Sequence, residues 1–177
     1  DSNSDDNYFF ADKIAVKANT PYIYKVEDAQ LSDNTNADAL NFVLDFGGTP
    51  AGTHVKIHDI YMAVAVSLEA DDPDNLWTVQ NESDLNEISF WFADDNWSQV
   101  ADPTEYSYTD GQFSLTTVAC GSSQWQGQVH IKTAISASQS ATYAFKCIIE
   151  ADDEVPSMTV KLTDSNSDDN YFFADKI

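Results

Sequence analysis

Apolar residues return at every second position in segment after segment of this chain, a period that dictates β-strands with one face turned to a core. In the segment 39–46, Leu40, Phe42, Leu44 and Phe46 fall on one face and Asn41, Val43 and Asp45 on the other, which reads as a half-buried strand. The segment 142–150 places Tyr143, Phe145, Cys147 and Ile149 together, and 157–163 places Met158, Val160 and Leu162 together. In 54–62, Val55 and Ile57 share a face with Tyr61, while Ile60 and Met62 show the alternation shifting late. The runs EISFWFA, QFSLTTVA, QVHIKTAI and TPYIYKV are further strands, each bounded by Gly, Pro, Asn, Asp or Ser. The best helical stretch, VEDAQLSDNTNADAL, is too rich in Asn, Asp and Ser for a long amphipathic face. About ten short strands with turn-rich joints predict an all-β protein, an antiparallel β-sandwich of jelly-roll type.

The domain organisation is set by a duplication. The first fourteen residues, DSNSDDNYFFADKI from Asp1 to Ile14, recur letter for letter from Asp164 to Ile177. The two copies begin about one domain's length apart, so the chain reads as one period of a repeating or permuted unit plus an overlap. The inner copy shows the natural join, in which PSMTVKLT runs into DSNSDDNYFFADKI and on to AVKANTPYIYKVEDAQL. The other seam is the polar stretch SLEADDPDN. Residues 1–66 are then the C-terminal part of the natural module, 67–75 a linker and 76–177 its N-terminal part, one sandwich in permuted order. Only one copy of YFFADKI can fill a given strand slot. The other must hang free or pair with a neighbouring molecule, giving a strand-exchanged homo-oligomer.

Composition narrows the partners. With 42% hydrophobic and 12% aromatic residues the chain is rich enough in core formers to fold. Its 8 Lys+Arg against 30 Asp+Glu, a net charge of −22, repel phosphate backbones and anionic bilayers, so neither nucleic acid nor membrane is an expected partner. No apolar run approaches the ~20 residues of a transmembrane helix. The two cysteines, Cys120 and Cys147, indicate neither a zinc site nor a disulfide scaffold, and leave open a single disulfide or a buried free thiol. No G-x-S-x-G elbow, zinc motif or P-loop is present, and acidic residues are too many to single out a glycosidase pair, so an enzyme is not expected.

In natural order, NLW (75–77), FWFADDNWSQV (90–100), YTDGQFSLTTV (108–118), SQWQGQVHIKT (123–133), SATYAFKCIIEAD, MTVKL and AGTHVKIHDIYM (51–62) resemble carbohydrate-binding modules of the family 4/9/22 type, β-sandwich units appended to xylanases and glucanases. The resemblance implies a secreted or cell-surface, non-catalytic module. Such a module binds xylan or xylo-oligosaccharides and targets a polysaccharide-degrading enzyme to its substrate. Other β-glucans, or a β-sandwich adhesion domain that binds protein, are the alternatives. No cofactor is required. A structural calcium is implied at Asp59, with Glu82 or Asp84 as partners; hard oxygen ligands suit that ion.

A pyranose ring stacks its C–H face on an aromatic side chain while its equatorial hydroxyls take hydrogen bonds around the rim. Trp97, within ADDNWSQ, and Trp125, after CGSSQ, are the indoles with polar, loop-like neighbours. If Val129 and Ile131 face the core, alternation turns Gln126, Gln128 and His130 to the other face, a polar strip beside Trp125. Tyr106 and Tyr108 are groove-wall candidates. Trp77 and Trp91 lie in apolar segments and are expected in the core. The clusters DSNSDDN and EADDE lack the spacing of a calcium loop and read as solvated loops.

Overall fold

A computed structural model describes residues 8–31, 36–64 and 75–165. Ten strands occur among them: β1 (Tyr8–Val16), β2 (Tyr22–Ala29), β3 (Leu40–Asp45), β4 (His54–Val64), β5 (Glu87–Phe92), β6 (Tyr106–Thr109), β7 (Gln112–Thr116), β8 (Gly127–Lys132), β9 (Tyr143–Ala151) and β10 (Val155–Asp164). They form two antiparallel five-stranded sheets, β1-β10-β3-β8-β5 and β2-β9-β4-β7-β6. The sheets pack face to face as a β-sandwich. The only helical pieces among the described residues are two short 3-10 turns, Glu82–Asp84 and Gln124–Gln126.

The alternating residues build the core. Leu40, Phe42 and Leu44 of β3, Val129 and Ile131 of β8, and Met158, Val160 and Leu162 of β10 meet Ile57 of β4, Phe113 of β7 and Phe145, Cys147 and Ile149 of β9. Trp77 is 2% exposed and sits at the centre of an aromatic knot, with Phe42 at 5.7 Å and Phe145 at 6.0 Å between ring centroids. Its indole N–H donates to the Tyr108 hydroxyl at 2.9 Å. Such edge-on pairs add to the gain from burial itself. Tyr108 is therefore a core residue and not a groove wall, and burial raises its pKa.

Two details refine the strand pattern. The late shift in β4 is a β-bulge, a break in register between His58 and Tyr61, with Asp59 in the left-handed region at φ 49°. It swaps which side chains face inward, so Ile60 and Met62 are both buried. β3 is buried on both faces, not half-buried. It is a central strand, and Val43 is flanked in register by the longer side chains of Lys161 and His130.

The second copy of the duplicated segment lies, beyond residue 165, outside the described residues. The expected linker falls largely outside the described residues, but Asn75, assigned to its end, belongs to the fold. Its carboxamide oxygen accepts from the backbone N–H of Met62 (3.1 Å) and of Trp77 (2.9 Å), and Leu76 N–H donates to Met62 O at 2.6 Å. The start of the VEDAQLSDNTNADAL stretch is strand, the end of β2. Both cysteines are free: Cys147 is sealed in β9 and Cys120 is half-buried near Phe46, and burial raises both thiol pKa values.

Candidate functional site

Three indoles gather at one end of the first sheet. Trp91 on β5 stands opposite Gln128 in register, on the face away from the core, because its neighbours Phe90 and Phe92 take the inward positions. Trp97 lies 6.0 Å from Trp91 and 6.3 Å from Trp125 between ring centroids, with interplanar angles of 31° and 22°. The Trp97 and Trp125 rings are stacked, and Trp91 is tilted against Trp97. Each keeps an open area: Trp97 is 50% and Trp125 40% exposed. Trp91, expected in the core, instead backs this shelf.

The loops that carry the two indoles are fastened by their own polar side chains. After β5 the chain turns through 93–99, closed by the bridge Ala93↔Gln99. Asp94 Oδ1 accepts from the backbone N–H of Asn96 and of Ser98, both at 2.9 Å, and Trp97 N–H donates to Asp94 O at 2.8 Å. This asparagine- and aspartate-rich turn forces Trp97 into the left-handed region at φ 62°. A bulky residue there is strained by about 1–2 kcal/mol, and such strain concentrates at functional positions.

Trp125 sits in the middle of the Gln124–Gln126 turn, which Ser123 and Gln126 close as a reciprocal capping box. Gln126 is 1% exposed. Its Nε2 donates to Asp94 O at 2.6 Å and its Oε1 accepts from Ser123 N–H at 2.9 Å. The amide expected to face a sugar is thus spent inside the protein, where it couples the Trp97 loop to the Trp125 loop. Asp95 makes a second tie, accepting from Ser122 N–H (2.7 Å) and Ser122 Oγ (3.0 Å).

The remaining polar strip is partly occupied. Gln128 is buried and its Nε2 donates to Asp45 Oδ1 at 2.9 Å, while the half-buried His130 meets the Asn41 amide through Nδ1 at 3.2 Å. Both lie on the outer face of the sheet, as alternation requires, but as members of a cross-strand polar ladder. Tyr106 is not part of the shelf. Its ring packs on Phe90 at 4.8 Å, on the side of β5 opposite to Trp91.

The implied calcium site fares differently again. Asp59 pairs with His58 Nδ1 at 3.2 Å, and Asp84 accepts from the N–H groups of Gln80 and Asn81. Among the described residues no group of three or more His, Cys, Asp or Glu side chains is arranged to hold a metal ion. In EADDE, Asp152 accepts from His54 N–H at 2.8 Å, a loop tie between strands. A cleft of about 440 Å³ lies on the second sheet, lined by Asp59, Tyr61, Asn75, Trp77, Gln80 and Lys146. Its one indole, Trp77, is sealed in the core, so the cleft offers no stacking surface.

Comparison with protein-family models, with curated proteins and with solved structures finds no match. The functional reading rests on the shelf itself.

The Asp95 tie carries a pH dependence. Hydrogen bonds from Ser122 favour its ionised form and lower its pKa. A group depressed in the folded state contributes stability that is present above its unfolded value, about 3.9, and lost as pH falls through the lower folded value. The Trp97 and Trp125 loops should therefore hold together from neutral pH down to about 4 and loosen only below. In an acid titration followed by tryptophan fluorescence, the native chain should show a change below about pH 4 that Asp95→Ala lacks. Identical curves would mean that the tie does not set the shelf.

Proposed function

We propose that this protein is a non-catalytic carbohydrate-binding module whose platform is formed by Trp97 and Trp125, backed by Trp91. The observation that carries the reading is a pair of exposed indoles, stacked at 22° with centroids 6.3 Å apart, on loops held by Asp94, Asp95 and Gln126. Each ring keeps an open area on which a sugar can stack, and rings already fixed in place lose little conformational freedom on binding. The acidic background favours a neutral ligand, with the jelly-roll resemblance in permuted order pointing to xylan or xylo-oligosaccharides first and to other β-linked glucans second. The module would be secreted or at the cell surface, keeping an attached polysaccharide-degrading enzyme close to its polymer.

Affinity electrophoresis against soluble xylans and β-glucans tests this directly. Migration should be retarded by at least one of them. Affinity should change less than about twofold between roughly 50 mM and 500 mM salt, because no phosphate or carboxylate counter-charge is released. No retardation by any glycan, or a steep salt dependence, overturns the proposal in favour of a protein-binding surface.

A further inference from the structure

The indole shelf carries a charge preference that a neutral sugar leaves unused. Indole is the aromatic ring that attracts a cation most strongly, through the negative face of its quadrupole. Three of them meet here, with Trp97 at 6.0 Å from Trp91 and 6.3 Å from Trp125 between centroids. One cation can therefore lie within about 6 Å of more than one ring centroid, the range over which such attraction acts. Trp97 and Trp125 are both exposed, so the approach is open.

Carboxylates lie at the base of the same loops. Asp94 Oδ1 accepts from the backbone N–H groups on either side of Trp97, those of Asn96 and Ser98, and Asp95 Oδ1 accepts from Ser122, three residues before Trp125. Between Lys56 and Lys132 the chain holds thirteen Asp and Glu and no Lys or Arg. The lysines of the first sheet stand away from the rings. Lys132 pairs with Glu87 at 2.9 Å, Lys161 is buried two residues along from the register row of Trp91, and Lys13 is on the opposite edge strand. The acidic background that favours a neutral ligand over an anion favours a cation further still.

Hydration decides which cation suits the shelf. A metal ion needs several hard oxygen ligands, and among the described residues no group of three or more His, Cys, Asp or Glu side chains is arranged to hold one. A primary ammonium is a compact, strongly hydrated charge with three donors to satisfy, while Asp94 and Asp95 already take hydrogen bonds from their own loops. A quaternary ammonium has no donor. Its charge is spread over apolar methyl groups, which pack on an indole as the C–H face of a sugar does. We infer that the shelf binds an organic cation of the quaternary ammonium class, its methyl groups against Trp97 and Trp125 and its charge facing Asp94 and Asp95. This ligand is additional to the glycan and does not depend on it.

Isothermal titration of the full chain with choline tests this, beside the neutral isostere in which carbon replaces the nitrogen. Choline should bind with a Kd on the order of mM, roughly tenfold or more tighter than the isostere. Raising the salt from roughly 50 mM to 500 mM should weaken choline about threefold or more and leave the isostere unchanged. Trp97→Ala and Trp125→Ala should each lower choline affinity roughly fivefold or more. The ligand and salt comparisons use the native chain, so they decide the matter whether or not a variant folds. Equal affinity for choline and its isostere overturns the inference, and so does the lack of saturable choline binding up to about 100 mM, or full choline affinity in a folded Trp97→Ala/Trp125→Ala chain. A xylo-oligosaccharide titrated into the same protein separates the two ligands. Choline binding without glycan binding sustains this inference and removes the glycan; glycan binding without choline binding does the reverse.

Discussion

Replacing Trp97 or Trp125 with alanine is expected to weaken glycan binding by about 1–3 kcal/mol each, roughly fivefold to 150-fold, and replacing both to abolish measurable binding. The magnitude follows from the loss of one stacking platform per substitution, with no compensating contact nearby. Fold stability should hardly move, because both rings are substantially exposed. Trp97→Gly sharpens the test. It removes the same ring but relieves the left-handed strain at φ 62°, so it should weaken binding as much as Trp97→Ala does while raising stability relative to Trp97→Ala by about 1 kcal/mol. Isothermal titration with a xylo-oligosaccharide, paired with thermal unfolding of each variant, reads both quantities. Variants that unfold, or that bind as well as the native chain, would show that the exposed rings are not the platform.

That site was only partly readable from residue order. Trp97 and Trp125 stood out because polar neighbours on both sides leave a large ring nothing apolar to sit among locally. The same rule places Trp91 in the core, where the structure does not. Its neighbours Phe90 and Phe92 make the segment look uniformly apolar, yet strict alternation along β5 already puts Trp91 on the face opposite to them. Gln126 failed for a different reason. Alternation stops at Gly127, before which the chain is a 3-10 turn and not a strand, so the Gln126 amide turns inward to Asp94 and Ser123. A serine three residues before a glutamine is a capping-box signature, and that was the available clue.

The fold class was legible because a period of two survives in most strands and depends only on local order. Which strand lies beside which was not. The neighbours of β3 are β10 and β8, and those of β4 are β9 and β7, pairings made by residues far apart in sequence. Tyr108 shows the limit for single residues. In the sequence it is one more tyrosine in a turn-flanked strand, and only the arrival of Trp77 from another segment makes its hydroxyl a buried acceptor.

Gly47→Ala is expected to destabilise the protein by about 2–4 kcal/mol and to reduce glycan affinity tenfold or more at temperatures where the variant is folded. A Cβ at Gly47 would lie 1.7 Å from the carbonyl oxygen of Ser123 and 2.5 Å from Cα of Gln124, so it meets backbone and not a side chain that could swing away. Retreat on the Gly47 side is blocked. Gly47 follows directly on Phe46 and β3, and β3 is held between β10 and β8. The segment that must give is the turn bearing Trp125, which is bonded to Gly47 through Gly47 N–H to Gln124 O at 2.7 Å and to the next residue through Gly48 N–H to Gly121 O at 2.9 Å. Its displacement pulls Gln126 from Asp94 and moves Trp125 relative to Trp97, so stability and affinity fall together. Gly52→Ala separates this from a general effect of losing a glycine. A Cβ there meets nothing within 4 Å, and its only penalty is the positive φ of 85°, about 1 kcal/mol of stability with affinity unchanged. Equal affinities for Gly47→Ala and the native chain would mean that the close approach of these two backbones does not position the shelf.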